Sequence, residues 1–168
     1  MSRDSPGARR HLALLAIVVV MAVIGGCGGD RPRPLVTLNR QLAREENSRE
    51  PSLAGRWLAL ISTRQGRDRV QLVDVERGAQ LALPGLNRPD AQPLSVSVDA
   101  AGERLALVRQ LEGRTELVLY RRSQGSLRRL PINPPGVPRR AQLRADGRQL
   151  AVEVGRNGLW QIDLIVLP

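Results

Sequence analysis

The feature that most limits what this chain can become is a repeat. The segments Gly55-Arg-Trp-Leu-Ala-Leu60, Gly102-Glu-Arg-Leu-Ala-Leu107 and Gly147-Arg-Gln-Leu-Ala-Val152 recur at spacings of 47 and 45 residues. Eleven residues after each leading glycine stands another, at Gly66, Gly113 and Gly158, and Gly78 and Gly125 match at the first spacing. An upstream marker recurs as Leu38-Asn39-Arg40, Leu86-Asn87-Arg88 and Ile132-Asn133-Pro134. A period of this size means one structural unit copied and stacked, because a single copy cannot bury its own apolar face.

Each unit alternates apolar runs with turn signals, the mark of short strands in a meander. In the middle unit the runs are Leu94–Val98, Leu105–Val108, Glu116–Arg121 and Leu127–Leu130, separated by turns at 100–102, 112–113 and 124–125. Glycine at those turns supplies the positive φ that a tight hairpin needs. Runs such as Leu105-Ala-Leu-Val108 are apolar at consecutive positions, so these sheets are expected to be covered on both faces. The expected fold is therefore all-β. It has three four-stranded repeats like propeller blades, either an open stack or one completed by oligomerisation.

At these residues the chain resembles the TolB-type propeller repeat, a relative of the WD repeat, whose pattern runs Ser-x-Asp-Gly-Arg-x-Leu-Ala-apolar. Unit three keeps Ala145-Asp-Gly-Arg-Gln-Leu-Ala151; unit one keeps Ser52, Gly55-Arg-Trp-Leu-Ala59 and the strand Val70-Gln-Leu-Val-Asp74. Ala54 and Ala101 replace the aspartate in units one and two. The resemblance covers about residues 51–168, in units of about 51–94, 95–139 and 140–168. It implies a fold and a habit of binding proteins, not a place in the Tol–Pal machinery. Unit three stops after its third strand, at Pro168. Leu35-Val36-Thr37-Leu38 reads as a lead-in strand able to complete it, in the same or another copy. The apolar segment 160–167 is expected to be covered, by Leu35–Leu38 or by a second chain, because an open strand edge invites pairing.

Residues 1–26 read as a signal peptide. Arg3, Arg9 and Arg10 precede an apolar stretch, Leu12 to Ile24, which is shorter than the roughly 20 residues that span a bilayer. It ends in Ile24-Gly25-Gly26-Cys27, which resembles the lipobox of bacterial lipoproteins. That resemblance implies cleavage before Cys27 and acylation of its thiol. Residues 27–50 then form the lipidated cysteine, a Gly/Pro-rich tether and the lead-in strand. The alternative is an ordinary secretory signal with an incidental cysteine. With the lipobox, the chain belongs to the cell envelope, held to the membrane by lipid on the periplasmic side.

Composition excludes much chemistry. There is no lysine and no phenylalanine, all 26 basic residues are arginine, and the net charge is +10. The one histidine, His11, and the one cysteine, Cys27, both fall in the leader region. Ser-His, Cys-His, Schiff-base and His-metal chemistry are therefore absent from the remainder. No metal site, cofactor or catalytic residue is expected. Asp74, Asp99, Asp146 and Asp163 sit at strand ends or turns, where aspartate bonds the local backbone. Nucleic-acid binding is disfavoured, because the arginines lack interleaved stacking aromatics. Arg64, Arg67, Arg109 and Arg114 cluster at equivalent second turns and form a candidate binding rim. The reading is a lipid-anchored, non-catalytic module that binds or scaffolds envelope proteins, with homo-oligomerisation open. The alternative is an arginine-mediated polyanion or cell-wall binder; a hydrolase ranks third.

Overall fold

The computed structural model describes residues 31–168, and within them three antiparallel sheets follow one another in chain order. The first contains β1 (Asn47–Ala54), β2 (Trp57–Arg64), β3 (Arg67–Asp74) and β4 (Ala79–Leu81). The second contains β5 (Ala91–Val98), β6 (Arg104–Leu111), β7 (Arg114–Arg121) and β8 (Ser126–Leu130). The third contains β9 (Val137–Leu143), β10 (Gln149–Arg156) and β11 (Leu159–Val166). Every sheet is a meander, with neighbouring strands adjacent in sequence. The eight glycines that mark the period all adopt positive φ, between 56° and 78°. The expected strands and turns of the middle unit are all present.

Sheet three has three strands, so the outer edge of β11 is unpaired among the described residues. The expected unit limits at 94/95 and 139/140 fall inside β5 and β9. The first strand of each sheet begins earlier than its apolar run, in polar sequence containing Pro51, Pro93 or Pro138. Register shifts break the pairing next to each of these prolines. Proline lacks a ladder donor and is tolerated at sheet edges and bulges, which is where these strands lie.

The sheets stack face to face. Ala59, Ile61, Val70 and Leu72 of sheet one meet Val96, Val98, Leu105, Leu107, Val118 and Tyr120 of sheet two. The opposite face of sheet two, with Ala106, Val108, Leu117 and Leu119, meets Ala141, Leu143, Leu150, Val152 and Val154 of sheet three. The consecutive apolar positions of β6 and β7 thus feed two cores at once, as expected of a sheet covered on both sides. Polar staples fix the register between sheets. The Val98 N–H donates to Ser52 Oγ at 3.2 Å, and the Leu143 N–H donates to Ser97 Oγ at 2.8 Å, each across 46 residues. The two hydroxyls lie 3.2 Å apart, so the staples run on from sheet to sheet.

The lead-in segment is not a strand. Val36–Leu42 forms a helix, α1, which follows Pro34 and ends before β1 begins at Asn47. Leu35, Leu38 and Leu42 recur with helical spacing, a pattern that the short run Leu35–Leu38 hid by resembling a strand. Leu38 and Leu42 pack on Leu58, Leu60, Val73 and Val75, the outer face of sheet one. The segment therefore caps the far end of the stack and does not complete sheet three. The first Leu-Asn-Arg marker lies in this helix and is not equivalent to the second. There Asn87 bonds both backbone groups of Val70, at 2.8 and 2.9 Å, taking a strand's place beside the short β4. Of the six apolar positions that the three repeated segments place in register, at 58, 60, 105, 107, 150 and 152, Leu60, Leu105, Leu107, Leu150 and Val152 are buried. Leu58 is half-buried, since a small helix rather than a sheet covers it.

Truncating Leu105, fully buried between sheets one and two, to alanine is expected to cost about 2–5 kcal/mol in denaturant unfolding. A loss under about 0.5 kcal/mol contradicts this core. Ser97→Ala strips the acceptor from the Leu143 N–H and should cost about 1–3 kcal/mol, the penalty for a buried unpaired donor. An unchanged unfolding midpoint removes the staple from the account.

Candidate functional site

Three surfaces have the shape to bind something. The first is the end of the stack where the second turns lie. Arg64 and Arg67 flank the β2–β3 turn, opposite one another in register, and Arg114 starts β7; all three are exposed. Arg109 does not join them. It is buried, with its Nε 2.8 Å from a Glu116 carboxylate oxygen and one terminal nitrogen lacking any hydrogen-bond partner. Position 109 lies inside β6, two residues short of the turn, which turns its side chain back along the sheet. The four-arginine rim is thus reduced to three.

Carboxylates also interleave with that rim. A cleft of about 500 Å³ there is lined by Arg67, Asp68, Arg88, Asp90 and Glu112. Asp90 accepts from Arg88 Nε and Nη2, one on each carboxylate oxygen. Asp68 accepts from Thr63 Oγ1 at 2.6 Å and from Arg49, which also reaches the Pro93 carbonyl at 3.3 Å. The Thr63 hydroxyl, aided by Arg49, holds the Asp68 carboxyl below its ordinary value of 3.8, against the opposing effect of burial. Those two ion pairs engage Arg49 and Arg88, while Arg64, Arg67 and Arg114 stay exposed beside them.

The second surface is an open groove of about 780 Å³ along the first strands, lined by residues of Glu50–Gly55, Ser95–Val98 and Arg140–Ala145. Its serines already serve as staples. The aspartates expected at turns do the backbone work foreseen for them. Asp74 Oδ1 accepts from the Glu76 and Arg77 N–H groups, Asp99 Oδ1 from those of Glu103 and Arg104, and Asp146 Oδ1 from that of Arg148. Asp163 differs. It lies within β11 and holds Arg156, whose guanidinium keeps its carboxyl below the ordinary range. No cluster of three or more potential metal ligands occurs among the described residues.

The third surface is the outer face of sheet three. Trp160, Ile162, Leu164 and Val166 alternate along β11 on one side and are 55%, 67%, 82% and 77% exposed. Val137, opposite Gly155 on the neighbouring β9–β10 pair, adds another exposed side chain. Trp160 lies against Gly155, and the Arg139 guanidinium stacks 5.0 Å from the centre of its ring. The sequence placed Trp160 in an apolar strand but not on an open face. The alternation Trp-Gln-Ile-Asp-Leu was the available signal, since its polar members Gln161 and Asp163 lie on the other side of the strand, where both accept from Arg156. Cys27, with Ile24, Gly25 and Gly26, lies outside the described residues.

No family model matches the chain, and no curated protein matches it. Solved structures do. TolB from Acinetobacter baumannii is similar at 17% identity and a TM-score of 0.54, over 70% of this chain and 29% of that one. The β-propeller domain of Myceliophteria thermophila Cps50 (Swd1) aligns at 14% identity and a TM-score of 0.41, over 71% of this chain and 41% of that chain. A prolyl endopeptidase aligns at 11% identity with the same TM-score, over 97% of this chain and 35% of that one. The chain therefore spans under a third of the TolB structure, and that likeness shows the fold: three consecutive TolB-like propeller repeats.

The Asp68 pair makes acid stability testable. A carboxyl with a lowered folded pKa stabilises fully above its unfolded value, and that contribution disappears as pH falls through the folded value. Asp68→Asn should flatten the loss of melting temperature below about pH 4, where an unfolded aspartate titrates. Wild-type and variant curves that stay parallel down to pH 2 would count against it.

Proposed function

We propose that the chain is a lipid-anchored, non-catalytic module of the cell envelope that binds or scaffolds protein, with its sheet stack as the binding body. The observation that carries this reading is the open apolar face of sheet three. Four large side chains stand in water on a surface whose counterparts on sheets one and two are covered by the next sheet. Exposed apolar surface of this extent marks an interaction site on a folded protein. The lipobox-like Ile24-Gly25-Gly26-Cys27 supports the anchor and the envelope location, and a propeller-type fold suits a binding role. Absence of lysine, of a histidine beyond the leader and of a second cysteine supports a role without covalent chemistry. The polyanion alternative is weaker, because Arg109 is sequestered by Glu116 and the cleft beside Arg67 is lined by Asp68, Asp90 and Glu112.

The test is recovery of the full chain from membranes of the cells that make it. The wild-type protein should carry an acylated Cys27 by mass spectrometry, stay with the membrane, and retain its partners when salt is raised. Cys27→Ala should leave unprocessed precursor or soluble protein. An unmodified thiol refutes the anchor. Partners that all wash off at high salt favour the arginine-mediated alternative, because salt screens exposed charge pairs.

A further inference from the structure

The outer face of sheet three departs from the repeat in a way that selects its occupant. Sheets one and two present similar faces to their successors: Ser52 and Ser97, Ala59 and Ala106, Ile61 and Val108, Val70 and Leu117, Leu72 and Leu119. The same positions on sheet three are Gln142, Ala151, Glu153, Ile162 and Leu164. Gln142 replaces the stapling serine. Glu153 would be buried under a further sheet, at the large cost of desolvating a carboxylate. A fourth sheet in the same register is therefore a poor occupant. Strand β11, by contrast, is more apolar than its counterparts. Asp68 and Asp74 flank the apolar pair of β3, and Thr115 and Arg121 flank that of β7, where β11 has Trp160 and Val166.

We propose that this row seats a second copy of the chain, with the two β11 strands packed face to face about a two-fold axis. Glu153, opposite Ile162 on β10, then borders the contact and keeps its partner Arg139, and Gln142 on β9 stays at the hydrated rim. Three observations select a second copy. The first is area: the exposed fractions of Trp160, Ile162, Leu164 and Val166 amount to roughly 500 Å² per copy, taking about 150–250 Å² for each large side chain. The pair would bury about 1,000 Å², the threshold for a specific interface. The second is charge. Arg139 is paired with Glu153 at 3.6 Å and Arg140 with Glu50 at 2.9 Å, so the cations beside the row are neutralised within each copy. Two strongly basic chains can meet across such a face, whereas an anionic bilayer would call for unpaired arginines beside it. The third is symmetry. Antiparallel pairing of two β11 edges about a two-fold axis would set both apolar rows on one side, enlarging the exposed surface; face-to-face packing covers both. Trp160, fixed between Gly155 and Arg139, enters the contact with little side-chain freedom left to lose.

The experiment uses the full chain with a photo-crosslinking residue in place of Leu164, irradiated in the cells that produce it. The expected product is an adduct of twice the chain mass that contains only this chain; the same probe at Arg67 should give none. Adding Ile162→Arg should cut the Leu164 adduct at least about tenfold, while circular dichroism and melting temperature stay near wild type. Exclusively uncrosslinked chain overturns the proposal, as does an adduct of Leu164 with lipid or with a different protein. The last of these leaves the binding role intact, and so separates failure of the dimer from failure of the proposed function.

Discussion

Apolar sheet faces need covers, and nearly everything else in this structure follows from how each cover is provided. Sheet two is the simplest case, because sheets one and three close both its sides. Sheet one receives sheet two on one side and the short helix Val36–Leu42 on the other. Among the described residues, sheet three is covered on one side only. Apolar burial gives no direction of its own, so the relative placement of the sheets falls to a few polar contacts. Serine hydroxyls receiving backbone N–H groups from the next sheet set that placement one repeat apart.

Side chains at the sheet ends tighten the same stack. Arg104 reaches the Gly147 carbonyl at 2.8 Å, and Arg122 reaches that of Gly102 at 2.7 Å. Trp57 lies so close to Gly102 that a β-carbon there would sit 2.5 Å from the indole. Gly102 thus answers two demands, the left-handed turn and the approach of the neighbouring sheet. Arg56 and Arg122 both stack on the Trp57 ring, at 4.8 and 5.8 Å. Several arginines in a chain without lysine act in this way as flat packing elements that bridge sheets.

The fold was largely legible in the sequence, because its period is marked by residues with a single mechanical purpose. A glycine that must take positive φ cannot be replaced cheaply, so the turns show through. The helix was not legible: seven residues carry too few turns for a 3.6 period to stand out, and Leu-Val-Thr-Leu suits a strand equally well. The fate of Arg109 was hidden for a different reason. Spacing placed it near a turn, but only the pairing of β6 with β7 shows Glu116 directly opposite. The open face was half visible, as a strand more apolar than its counterparts in the other two units. On its covered side β11 offers Ile165 to the core and Asp163 to Arg156, a mixture that did not mark that side as the inner one.

Asn87 carries a consequence for association. Its amide occupies both ladder groups of Val70, where β3 would otherwise offer them to another chain. The ordered β4 beside it is only three residues long. The rim of sheet one is thereby closed to an incoming strand, and on sheet two the adjacent Arg128 and Arg129 of β8 place like charges along the corresponding rim. Short and charged borders discourage lateral growth into ribbons. At those two rims each sheet ends at its fourth strand instead of extending into a neighbour's.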